Sequence, residues 1–159
     1  MGAFCSRWRG VQAVILDRKA IVSGETQRHF RALGWGCEIL QGDIFETLPQ
    51  LSPDIVTANL FLHHLAGADL SRLLELVGMR AKGLVACEPR RSAFALLGAH
   101  LVFLLGANHV TRHDAVASVR AGFKDKELSC LWPSRSGWTI AERGIFPFTH
   151  LFIAEGGHV

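Results

Sequence analysis

The 159-residue chain has no tyrosine and only two methionines. The first absence removes the phenol, a common proton-transfer group, from whatever chemistry it performs. Cysteine is sparse: Cys5, Cys37, Cys87 and Cys130 lie far apart and form no C-x-x-C pair, so free, buried thiols in a reducing cytosol are expected rather than a redox or zinc motif. There is no basic block. The net charge of +3 and pI near 8.9 come from dispersed Arg and Lys, a weak footprint for nucleic-acid binding. No apolar run reaches the roughly 20 residues of a membrane span; the longest, Ala93 to Ala107, is broken by Gly98, His100 and Gly106. Arg7, Trp8 and Arg9 follow a very short opening with no apolar core region, which argues against a signal peptide. These features predict a soluble, cytoplasmic protein with neither membrane nor nucleic acid as partner. Hydrolase chemistry loses its support because no Gly-x-Ser-x-Gly elbow occurs. A metal site is not expected, because a helix predicted to begin at Thr111 separates His109 from His113, and no further ligand stands at a recognisable spacing.

What is present is 49% hydrophobic and 19% charged, enough for one globular domain over residues 1–159. Val11 to Asp17 is an apolar run ending in an acid, read as a strand. Ser23 with Thr26 and Gln27 caps a helix that carries Phe30 and Leu33 and stops at Gly34-Trp35-Gly36. Cys37 to Gln41 is a second strand, closed by Gly42-Asp43, and residues 48–53 are turn material. Leu70, Leu73, Leu74 and Val77 recur at helical spacing, which predicts an amphipathic helix over 68–80. Leu84 to Cys87 is a strand ending at Glu88-Pro89-Arg90-Arg91. Ser92 caps a helix through Leu105 that is apolar nearly all round, hence buried or packed on a partner, a homodimer among the arrangements it suits. Thr111-Arg112-His113-Asp114 has the form of a capping box for a helix to about Ala121. A short helix over Lys126 to Trp132 follows. Trp138 to Glu142 and Phe148 to Ala154 then read as an antiparallel hairpin.

The stretch Asp54 to Leu65 organises the rest. Ile55, Val56 and Thr57 suit a strand buried on both faces; Asn59 then ends the apolar run, and His63 and His64 follow. In an open α/β sheet, ligands bind beyond the carboxyl ends of the strands, which makes this the expected active-site corner. The alternation of strands and helices predicts a mostly parallel sheet with helices on both faces and an antiparallel edge. As neighbours on a helix, the two imidazoles would diverge by about 100°.

Taken in order, these residues resemble the class I S-adenosylmethionine-dependent methyltransferases from about Val11 to Ala154. The resemblance implies a Rossmann-like methyltransferase fold and S-adenosyl-L-methionine as cofactor. It implies that Asp17 accepts hydrogen bonds from the ribose hydroxyls and that Asp43 binds the adenine amino group while Ile44 packs on the ring. Asn59 would lie near the cofactor's methionine end. Glu88 and Arg91, in the loop after the fifth family strand, and Arg112 and His113, in the substrate-covering insert, would face a small-molecule acceptor. His63 or His64 would be the catalytic base, and the apolar helix and Phe123 would wall a pocket for an aromatic or hydrophobic acceptor, with O-methylation favoured.

The family's glycine-rich loop after its first strand has no counterpart before Asp17. The expectation is an N-terminally shortened form lacking that strand and loop. Within a core, each orphaned backbone group of the neighbouring strands would cost about 1–3 kcal/mol. A shortened chain is therefore expected to be impaired, and a non-catalytic interaction module is the alternative.

Overall fold

The computed structural model describes residues 8, 10–19, 22–101, 109–134 and 136–157. They fall into two compact units, Met1–Gln50 and Leu51–Val159.

In the first unit, β1 (Gln12–Asp17) pairs in parallel with β2 (Gly36–Gln41), from Gln12↔Gly36 to Asp17↔Gln41. Between them runs α1 (Gly24–Ala32), whose N-terminus is capped by Ser23 accepting from the Thr26 amide at 3.3 Å. Trp35 N–H returns to the Phe30 carbonyl at 3.0 Å around Gly34, whose φ of +75° only glycine adopts readily. A four-residue helix, α2 (Ile44–Thr47), closes the unit with Asp43 as its cap. Leu48 is the one deeply buried apolar side chain among the described residues here, so little hydrophobic stabilisation originates inside this unit.

The second unit is a four-stranded sheet in the order β3 (Ile55–Asn59), β4 (Gly83–Pro89), β6 (Thr149–Gly156), β5 (Trp138–Ile145). β3 and β4 are parallel, while β6 runs antiparallel to both β4 and β5. Three strands therefore share a direction and β6 is reversed. The helix α3 (Gly67–Arg80) buries Leu70, Leu73, Leu74 and Val77, the predicted stripe. It is followed by α4 (Ala93–Leu101), α5 (His109–Ala121) and α6 (Glu127–Leu131). One face of the sheet carries Leu84, Ala86 and Glu88 of β4 opposite Ala154, Phe152 and His150 of β6, and all six are 1% exposed or less. Trp132 packs on Phe152 with ring centroids 5.6 Å apart, and on Trp138 at 5.0 Å.

Several expectations change. β3 is not buried on both faces: Ile55, Thr57 and Asn59 are exposed and alternate with half-buried Val56 and Ala58, because β3 is the end strand of its sheet. The helix expected to open at Thr111 begins at His109, so the 111–114 sequence lies inside it and His109 and His113 stand four apart on one helix. Residues 102–105 of the predicted apolar helix lie outside the described residues. On α4 itself, Ala95 and Ala99 are buried, whereas Phe94 and Leu97 are more than half exposed. Among the described residues no helix is long and apolar enough to cross a membrane.

Candidate active site

At the carboxyl end of β3 the chain turns sharply. Leu60 adopts φ +52°, a left-handed conformation strained for a leucine, while its amide still reaches the Cys87 carbonyl of β4 at 2.9 Å. The turn delivers Phe61 and a 3₁₀ turn, Leu62–His64. Beneath it lies the carboxylate of Glu88, its side chain wholly buried. Glu88 Oε1 accepts the amides of Phe61 at 3.0 Å and Leu62 at 2.9 Å, and Oε2 lies 3.4 Å from the His63 amide. Free amides at the start of a helical turn form a cradle for an anion, and here the anion is internal.

Oε2 also meets His63 Nδ1 at 2.7 Å. With Glu88 accepting from three amides, the bond assigns the proton to Nδ1 and leaves Nε2 as the nitrogen that can take one up. The His63 side chain is only 3% exposed, whereas His64 is exposed. Burial separates them, as expected of neighbours, but their rings remain in contact, with centroids 4.0 Å apart. The substrate contact predicted for Glu88 gives way to a positioning role, since a carboxylate with no exposed surface and both oxygens engaged has nothing left to offer an acceptor.

The other predicted residues divide. Asn59 is exposed at the strand end. Arg91 pairs with Glu127 across the loop after β4. His113 is exposed on α5 beside Asp114 at 3.7 Å, and the Arg112 side chain lies outside the described residues. In the first unit, Asp17 is half-buried and uses Oδ1 to accept the Lys19 amide at 2.7 Å, so Oδ2 remains as an acceptor. Asp43 is more committed: Oδ1 caps α2 through the Phe45 amide at 2.9 Å and Oδ2 lies 3.8 Å from Arg18 Nε. Ile44 is half-buried. Asp17 therefore keeps one carboxylate oxygen without a partner among the described residues, and Asp43 a shared oxygen at most.

A second buried imidazole–carboxylate pair was not foreseen. His150 Nε2 lies 2.7 Å from Glu142 Oε1, with both side chains at most 1% exposed. Burial pushes the Glu142 carboxyl up. Hydrogen bonds from the Ser129 hydroxyl, His150 and the amides of Ser129 and Leu128 outweigh that and hold it below the usual carboxylate range. The two amides open α6, so Glu142 also caps that helix. The sequence did carry a signal: Glu142 and His150 occupy inward-facing positions on strands, where a polar residue requires a partner.

Beyond the carboxyl end of β4 lie two cavities, of about 530 Å³ and 620 Å³, with Arg91, Asp125 and Lys126 common to both. Phe123, 6% exposed, lines the larger one. Its wall is tied to β4 by a parallel bridge between Arg90 and Phe123, in which the Phe123 amide donates to the Pro89 carbonyl at 2.9 Å and the Arg91 amide to the Phe123 carbonyl at 2.8 Å. Gly122 makes this approach possible, because a Cβ there would overlap the Pro89 carbonyl oxygen.

No family model and no curated protein sequence matches the chain. Solved structures do. The pyocyanin biosynthetic protein PhzM is similar with a TM-score of 0.58 and 20% identity, over 92% of this chain and 43% of that one. Mitomycin 7-O-methyltransferase MmcR gives 0.53 and 19%, over 91% and 42%. The methyltransferase domain of bacterial CtHen1 gives 0.56 and 12%, over 92% and 78%. The chain thus spans less than half the length of the first two. The fold is that of the class I methyltransferases, a mixed α/β arrangement with parallel and antiparallel strands.

Proposed function

We propose that this chain is an S-adenosylmethionine-dependent methyltransferase acting on a small aromatic or hydrophobic acceptor, with oxygen favoured over carbon as the methylated atom. The observation that carries the reading is the Glu88–His63 pair, 2.7 Å apart, beside exposed His64 where β3 and β4 end. When bound, S-adenosylmethionine supplies a methyl group on a sulfonium, activated for in-line displacement. The chain's own residues do the rest. Glu88 fixes the His63 ring and tautomer, the imidazole pair takes the proton of the acceptor hydroxyl, and proximity accounts for most of the gain. Within the first unit, Asp17 is the residue best suited to the ribose, with Asp43 and Ile44 in supporting roles. The three described cysteines are free thiols, in keeping with a cytoplasmic setting.

The test is to titrate the 159-residue protein with S-adenosylmethionine by calorimetry and to follow labelled methyl into a panel of phenols. Micromolar affinity with label on oxygen would support the reading and overturn the expectation that the chain, lacking a glycine-rich loop, is impaired. Replacing both His63 and His64 by Gln should lower turnover by about 10²–10⁴-fold with cofactor affinity retained; unchanged turnover would remove the histidines from the mechanism.

One observation favours the second reading, a non-catalytic interaction module. Phe94, Phe146 and Phe148 form an exposed aromatic cluster, 51%, 74% and 48% accessible. No cofactor binding together with copurification in a stoichiometric complex, a homodimer included, would select that reading.

A further inference from the structure

The smaller cavity beyond β4 is lined by Arg90, Arg91, Lys124, Lys126 and Arg143 with a single lining carboxylate, Asp125. Some of this charge is answered nearby: Arg91 by Glu127, and Lys124 by Asp125 at 3.9 Å. Among the described residues, Lys126 Nζ donates only to the Glu142 backbone carbonyl, at 2.6 Å. Arg90 and Arg143 form no ion pair among the described residues. Several cations gathered at one concavity repel one another, and a bound anion relieves that repulsion.

A buried imidazole stands at the same place. His150, 1% exposed, lines this cavity, and its Nδ1 is buried without a hydrogen-bond partner among the described residues. Glu142 holds Nε2 on the opposite edge of the ring, so the imidazole is oriented and Nδ1 is its unused valence. A buried polar atom left unpaired is costly. The adjoining larger cavity adds an apolar wall in Phe123 and Leu131, and shares Arg91 with the basic one.

We infer that this basic cavity binds the anionic group, carboxylate or phosphate, of a small acidic ligand whose apolar body lies along Phe123 and Leu131. If the methyltransferase reading holds, the ligand is the acceptor itself, making the substrate class hydroxylated aromatic acids or phosphorylated phenols. That extension rests on the reading above, but the anion site does not.

The test leaves S-adenosylmethionine out, so the two proposals fail separately. Benzoate, inorganic phosphate and the neutral isostere benzamide are titrated into the full chain, with calorimetry and the side-chain NMR signals of His150 as readouts. Benzoate or phosphate should bind saturably, weaken with added salt and shift the His150 ring signals, and benzamide should bind at least about tenfold more weakly. Arg90→Gln and exposed Arg143→Gln should each weaken the anion by about tenfold or more, while Lys82→Gln, at the other end of the sheet, should leave it unchanged. Tighter binding of benzoate than phosphate assigns the site to carboxylates, and the reverse to phosphoryl groups. Absence of saturable anion binding, equal affinity for benzamide, or insensitivity to both arginine changes in variants with unaltered circular dichroism would overturn the inference.

Discussion

Glu88 of β4 and His150 of β6 stand directly opposite each other in the antiparallel ladder, each 1% exposed, yet neither is the other's partner. Glu88 turns to His63 and the amides of the 61–63 turn. His150 turns to Glu142, a diagonal neighbour on β5. The same end of one sheet face therefore holds two imidazole–carboxylate pairs side by side, one shaping the turn after β3 and the other capping α6.

Removing the Glu88 carboxylate should be among the most damaging changes in the chain. Glu88→Ala leaves buried amides and the His63 ring without an acceptor, at a cost of about 3–5 kcal/mol. Glu88→Gln keeps one acceptor oxygen and should lose less. Urea unfolding of the two variants checks the order; equal, small losses would show that the cradle contributes little.

The Glu142 carboxyl imparts a defined acid dependence. Its folded-state pKa lies below the ordinary 4.5, so its contribution is fully present above pH 4.5 and disappears as pH falls through the depressed folded value. Wild type should therefore lose stability over that acid window more steeply than Glu142→Gln. Parallel slopes in thermal melts across the window would contradict this assignment.

Leu60 tests the strain in the turn. At φ +52° and 55% exposed, it forfeits little packing on truncation, and Leu60→Gly should be neutral or stabilising by up to about 1 kcal/mol. Leu60→Val, β-branched in the same conformation, should destabilise by about 1 kcal/mol. A shift in the opposite order would mean that the leucine side chain contributes more than the backbone costs.

Gly122→Ala should push the chain off the Pro89 carbonyl and weaken both hydrogen bonds of the bridge, at about 1–3 kcal/mol. Amide chemical shifts at Arg91 and Phe123 should move while those of α3 stay in place. Unmoved shifts would show that the loop absorbs the methyl elsewhere.

Most of the scaffold was legible because it depends on local pattern. The stripe of α3, the Ser23 cap, the acids closing β1 and β2, and the final hairpin all declare themselves within a few residues of sequence. The hairpin strands run longer than expected, to Ile145 and Gly156, because cross-strand pairing carries them past the polar residues that marked their ends. The pairs at the candidate site were harder to see. Glu88 is 25 residues from His63, and Glu142 is 13 from Ser129; such contacts are set by strand order, which no local window contains. Glu88 could be read as a loop acid facing substrate until the sheet placed it under the histidine turn.

The bridge between Arg90 and Phe123 has a kinetic counterpart. These two loop segments borrow the hydrogen-bonding pattern of a parallel strand pair without belonging to a strand, so they should open only when the end of β4 opens. In deuterium exchange, the Arg91 and Phe123 amides would then decay with the sheet, slowly and together, while the amide of exposed Asp125, two residues on, exchanges at the rate of a surface loop.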